Sequence, residues 1–188
     1  MRILIIEDEL LIPEGLISSI EDGGNEVSGV AYSGLEGIRM AKTIPTDLIL
    51  TDIHLPDISG LDVISTLETE ITVPFVILTA YGEEVAQSSR DFKMLFGFLT
   101  KPVDATELSV VLNIAMKRFE TWKEALDSLK ETKQALEDRK VIEKAKGCLM
   151  DCFSMKETDA MKMLQKKSKD SNRKIIDVAR DILKVFGS

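Results

Sequence analysis

The chain has 188 residues, 44% hydrophobic and 30% charged, which allows one well-cored domain plus a smaller one and is too polar for a membrane-embedded protein. No apolar run approaches the ~18 residues of a spanning helix, and the amino terminus runs from Met1 through Ile6 straight into acids, without a signal peptide's long apolar segment, so a cytoplasmic protein with no membrane partner is expected. Two cysteines, Cys148 and Cys152, cannot build a disulfide scaffold, and one distant histidine does not complete a zinc site with them. The net charge of -8 is unevenly spread: residues 1–138 hold 11 Lys/Arg against 25 Asp/Glu (net -14), and residues 139–188 hold 13 against 7 (net +6). A basic end on an acidic protein points to a polyanionic partner.

In chain order, Ile3–Ile6 is an apolar run that ends in Glu7-Asp8-Glu9 and reads as a buried strand. Leu10–Ser19 has a helical pattern stopped by Gly23-Gly24, Glu26–Ala31 reads as a strand, and Leu35–Ile44 as a second helix. Asp47–Asp52 is a third strand, bounded by Pro45 and by His54-Leu55-Pro56. After the loop to Gly60 come a helix at Leu61–Glu68, a strand at Phe75–Thr79 and a strand at Phe96–Thr100. Such alternation predicts a five-stranded parallel, doubly wound α/β sheet of the flavodoxin-like kind, with right-handed crossovers.

The carboxyl ends of such strands face the ligand crevice. Glu7 and Asp8, Asp52, Thr79 and Lys101 all fall there. Acids on neighbouring strands repel unless a cation neutralises them, and an all-oxygen cluster suits Mg²⁺, which binds through few protein ligands and keeps its waters. Asp52 is then a candidate nucleophile toward phosphorus, with Lys101 and Thr79 holding the transferred oxygens. No glycine-rich phosphate loop of the P-loop kind is present, which favours a phosphoryl acceptor over an ATPase.

These residues resemble the receiver domain of two-component response regulators. Five features agree in order over about residues 1–118: Ile6-Glu7-Asp8, Thr51-Asp52, the Leu55-Pro56 to Gly60 loop, Leu78-Thr79-Ala80, and Thr100-Lys101-Pro102. The resemblance implies that Asp52 is the phosphoacceptor and that Mg²⁺ is held by Asp8 and Asp52, with Glu7 acting through water and His54 lending its backbone carbonyl. It also implies that Phe98 is the switch aromatic coupled to Thr79. Lys93-Met94-Leu95 departs from the small residues usual before the fifth strand, which puts the helix preceding that strand in doubt.

Beyond the receiver, Leu108, Leu112, Ala115, Phe119, Trp122, Leu126, Leu129, Lys133 and Leu136 follow in 4-3 alternation, the mark of a coiled-coil seam on a long helix. A parallel dimer through Leu112, Phe119, Trp122, Leu126, Leu129 and Leu136 is expected, with residues 119–128 as coiled-coil linker. The last 50 residues predict a small all-α three-helix bundle. One helix runs through Ile142, Ala145, Leu149 and Phe153; Ser154-Met155-Lys156-Glu157 reads as a capping box starting a second, and a break at Asp170-Ser171-Asn172 precedes a third. Residues 126–186 resemble the ANTAR module, most specifically in Ala145-Lys146-Gly147-x-Leu149-Met150, so that residues 129–188 form the output domain. That module is an RNA-binding antitermination domain.

The expected function is therefore a phosphorylation-activated response regulator. The resemblance implies that a sensor histidine kinase phosphorylates it, that it then dimerises, and that it binds hairpins in an mRNA leader so that transcription does not terminate. No enzyme activity beyond its own phosphorylation and dephosphorylation is expected. Hairpin loops call for cations on the backbone and short polar groups on base edges, which nominates Arg139, Lys146, Ser168, Asn172 and Arg173, then Lys166, Lys167 and Lys174. Two rivals are a response regulator with a DNA-binding output and a metal-dependent aspartyl phosphatase. The first lacks a recognisable helix-turn-helix turn in residues 139–188, and the second lacks an acid two residues after Asp52, where His54 stands.

Overall fold

The structure, a computed structural model of the chain, describes residues 1–9, 12–80 and 92–186. It divides into two compact units, Met1–Lys123 and Glu124–Ser188. In the first unit the order is β1 (Arg2–Ile6), α1 (Ile12–Asp22), β2 (Glu26–Ala31), α2 (Gly34–Thr43), β3 (Leu48–Asp52), α3 (Gly60–Leu67), β4 (Phe75–Thr79) and β5 (Leu95–Thr100). The helix doubted before β5, and the predicted start of the first helix at Leu10 and Leu11, lie outside the described residues.

The five strands are all parallel, in the order β2-β1-β3-β4-β5. Side chains alternate across a strand, so β1 sends Ile3 and Ile5 to one face and Leu4 and Ile6 to the other. Ile3 and Ile5 join Leu48, Leu50, Val76 and Leu78 in a core covered by Leu16 and Ile20 of α1. Leu4 and Ile6 join Ile49, Phe75 and Ile77 under Ala41 of α2 and Val63, Ile64 and Leu67 of α3. Both faces being covered explains why β1, β3 and β4 read as unbroken apolar runs.

A 49-residue helix, α4, spans Ala105–Phe153. Asp104 caps it, its Oδ1 accepting from Thr106 N and Glu107 N at 2.8 and 3.1 Å. The seam splits into two kinds of position. Leu108, Leu112 and Ala115 lie in the first unit's own core, and Phe119 is 7% exposed against the same sheet. Phe119 and Trp122 stack with centroids 6.0 Å apart, each edge-on to Phe96. Leu112 and Phe119 therefore cannot pair two chains, and Trp122 is partly covered in the same way, which corrects the first half of the expected dimer seam. A helix lying on a sheet and a helix in a coiled coil show the same 4-3 stripe, so period alone does not say which partner fills it. Leu129 and Leu136 are exposed at 51% and 54%.

In the second unit the last turns of α4 pack with α5 (Glu157–Ser171) and α6 (Ile175–Phe186) around Ala145, Leu149, Ala160, Leu164, Val178, Ala179 and Ile182. The capping box does not form. Ser154 takes a left-handed backbone (φ 50°), the N-cap is Lys156 without a side-chain bond, and the Glu157 carboxylate turns instead to Lys146. An N-cap needs an extended backbone to reach the helix's free N–H groups, and a left-handed Ser154 two residues early cannot serve. At the other end of α5, Asn172 caps the helix in the left-handed region (φ 50°). Short polar residues tolerate that conformation.

Candidate phosphoryl-transfer site

Strand register assembles the site. Asp52 pairs with Leu78 and Thr79 with Thr100, and Lys101 N donates to Thr79 O at 2.8 Å. One residue beyond β1, Glu7 N donates to Ala31 O at 2.9 Å. Glu7, Asp52 and Thr79 are buried and Asp8 is exposed. Lys101 Nζ lies 2.5 Å from Asp52 Oδ2 and 2.7 Å from Glu7 Oε2. Asp52 Oδ1 accepts from His54 N at 3.2 Å. The His54 residue itself is exposed.

Three acids face one ammonium. Glu7 Oε1 accepts from Glu9 N at 3.4 Å, and the buried Glu7 Oε2 has the Lys101 ammonium as its partner. Burial, reinforced by the Asp52 charge against the opposing pull of Lys101, raises the Glu7 pKa above the ordinary glutamate value. Burial works against the Lys101 ammonium, but its contacts with Asp52 and Glu7 outweigh that and raise its pKa above the usual lysine value. Carboxylate oxygens of Glu7, Asp8 and Asp52 all come within 4.8 Å of one another. An all-oxygen set of three carboxylates with one ammonium among them fits a hard divalent cation such as Mg²⁺.

The loop after Asp52 closes on itself. Gly60 N donates to Ile53 O at 2.8 Å, and a Cβ at Gly60 would run into the Asp52 carbonyl oxygen. Phe98, expected as the switch aromatic, is 48% exposed on β5.

The second unit sorts the expected RNA residues differently. Arg139, Lys166, Lys167, Asn172, Arg173 and Lys174 are exposed. Lys146 is not: its ammonium is 2.6 Å from Glu157 Oε1 and 2.9 Å from Glu143 Oε2, with the side chain 9% exposed. This corrects its assignment as an RNA contact, because a cation already clasped by two carboxylates and covered along its stem is not offered to a phosphate. Ser168 Oγ donates to Arg173 O at 2.5 Å, closing the end of α5, and Arg173 also pairs with Asp181 at 2.7 Å.

The doubly wound sheet, with acids and a lysine gathered at its carboxyl edge, defines a receiver-type α/β domain. The response regulator receiver domain family matches residues 3–113, and the ANTAR domain family matches residues 130–183. The chain belongs to the response regulators that join a receiver to an ANTAR module, an RNA-binding antitermination domain, and its architecture is that of a regulator rather than a catalyst. It is 30% identical over 188 residues to the transcriptional regulatory protein PdtaR of Mycobacterium tuberculosis strain H37Rv, covering 100% of this chain and 91% of that one. It is 31% identical over 137 residues to the transcriptional regulatory protein BtsR of Escherichia coli K12, covering 72% of this chain and 56% of that protein. A receiver domain from Clostridium thermocellum superposes with a TM-score of 0.56 at 30% identity, over 64% of this chain and 98% of that one. No described helix is long and apolar enough to cross a membrane.

Proposed function

We propose that a sensor histidine kinase transfers a phosphoryl group to Asp52, and that this switches the carboxyl-terminal module onto RNA hairpins in a nascent mRNA leader, in the cytoplasm, preventing termination. The observation that carries the reading is the cluster of Glu7, Asp8, Asp52 and Lys101 at the carboxyl edge of the sheet. Lys101 engages Asp52 Oδ2, which leaves Oδ1, near His54 N, to attack phosphorus. The new Oδ1–P bond forms as the donor's N–P bond breaks, with the electron pair and a proton going to the imidazole. Asp8, Asp52, Glu7 through a water and the His54 carbonyl would hold Mg²⁺, which supplies charge neutralisation between acids and phosphoryl oxygens. The Lys101 ammonium and the Thr79 hydroxyl then hold the transferred oxygens, and Thr79 with Phe98 relays the added charge outward.

The outer part of the seam, half-buried Leu126 with exposed Leu129 and Leu136, pairs two phosphorylated chains. Exposed cations Arg139, Lys166, Lys167, Arg173 and Lys174 contact the RNA backbone, and Asn172, with Ser168 behind it, meets base edges. Intact-mass measurement with a small acyl phosphate and Mg²⁺ tests the acceptor. Wild type gains one phosphoryl mass and Asp52→Asn gains none, since an amide is a poor nucleophile; equal uptake by both would refute the assignment.

A further inference from the structure

Asp57 is an exposed carboxylate that gathers three backbone N–H groups. Its Oδ1 accepts from Gly34 N and Ile58 N, each at 2.8 Å, and its Oδ2 from Leu35 N at 2.9 Å. Gly34 and Leu35 form the first turn of α2, far from Asp57 in sequence. The helix already has its own cap: Ser33 Oγ accepts from Glu36 N at 3.3 Å, and Ser33 O accepts from Gly37 N at 2.9 Å. Asp57 takes up the two N–H groups that local capping leaves free, and by doing so it fixes a distant loop to a helix end.

That loop is the one leaving the phosphoacceptor. Its far end is pinned by Gly60 to Ile53, the residue directly after β3, as described above. Its middle is pinned to α2 by Asp57, and the approach is tight, because a Cβ at Gly34 would run into Ile58 and stand 3.0 Å from Val63. Between β3 and the Asp57 clamp lies His54, whose N–H reaches Asp52 Oδ1. The three N–H groups hold the Asp57 pKa at about 2, so the clamp is ionised throughout the neutral range.

We propose that Asp57 is a positioning residue for phosphoryl transfer: by tying the 53–60 loop to the amino end of α2, it sets where the His54 backbone stands against Asp52 and the cation. The proposal rests on Asp52 being the acceptor. Two substitutions disturb the clamp from opposite sides, Asp57→Asn weakening the carboxylate and Gly34→Ala pushing the loop away. Asp47→Asn serves as a control, since Asp47 binds Arg2 at the other end of the same region of sheet, with Oδ1 2.8 Å from the guanidinium.

Full-length proteins are titrated with Mg²⁺ by calorimetry in the unphosphorylated state, and uptake from acetyl phosphate is followed across a Mg²⁺ series alongside the thermal midpoint. Asp57→Asn and Gly34→Ala are expected to weaken Mg²⁺ binding by about tenfold, the lower end of what outer-shell losses cost. Half-saturating Mg²⁺ for uptake should rise in step, while Asp47→Asn lowers only the midpoint. Folded clamp variants that bind Mg²⁺ within about twofold of wild type, or an Asp47→Asn loss as large as theirs, would overturn the proposal. Failure of the acceptor reading appears separately, as no uptake by wild type while the Mg²⁺ differences persist.

Discussion

Two lysines in this protein each sit between two carboxylates, and the two arrangements do opposite jobs. Lys101 lies between Glu7 and Asp52, whose side chains are 0% and 8% exposed, with Asp8 alongside. Lys146 lies between Glu143 and Glu157, whose side chains are 54% and 65% exposed. Water completes the solvation of the second pair, so the Lys146 clasp is self-sufficient and ties the end of α4 to the start of α5. Around Lys101 the acids outnumber the cation, and Glu7 and Asp52 are cut off from water, so the cluster stays electrostatically incomplete. The lesson is that one ion-pair pattern becomes a clasp or a reaction site according to whether its acids are wet.

Replacing each lysine by Met sharpens the contrast, because Met keeps the apolar stem and removes the charge. With Mg²⁺ chelated, Lys101→Met should destabilise the receiver by about 3 kcal/mol, the cost of stripping the partner from buried charges, and added Mg²⁺ should restore part of it in a denaturant titration. Equal stability with and without Mg²⁺ would contradict the picture of acids short of positive charge.

The long helix offers the next largest contrast. Leu112→Lys should unfold the receiver, since it buries a charge under the sheet, whereas Leu126→Lys with Leu129→Lys should leave phosphorylation intact and give monomers in sedimentation. A double variant as dimeric as phosphorylated wild type would remove the exposed seam from the interface.

Lys146→Met should change hairpin RNA affinity and its salt dependence little, because that ammonium is spoken for within the module. Lys167→Ala, by comparison, should flatten the slope of log affinity against log salt by roughly 0.7 to 0.9. A flattened slope for Lys146→Met would mean that the clasp opens to meet RNA. The smallest expected effect is at Asp57. Its native pKa of about 2 lies below the ordinary aspartate value of 3.8, so its stabilising contribution is present above that value and lost as pH falls toward 2. Asp57→Asn should therefore make the acid limb of the stability curve shallower between those two values, and an unchanged limb would show that the clamp bonds do not favour the folded state.

The sequence by itself determined the sheet, the order of its elements and the place of Glu7, Asp8, Asp52, Thr79 and Lys101, since apolar runs of strand length and the acids and lysine at their ends are local signals. The edges of elements moved by a residue or three, as with α1, which ends at Asp22 and not Ser19. Only the tertiary structure decided which partner each helical stripe meets: Leu112 and Phe119 lie on their own sheet, and Leu129 and Leu136 face outward. It also turned Lys146 inward, put Ser154 in a left-handed turn where a cap was expected, and joined Asp57 to α2. The physical reason is common to all four. Periodicity and capping patterns report which side of an element is apolar or which groups could bond, but the atoms that satisfy them come from residues distant in the chain, and only folding brings those within reach.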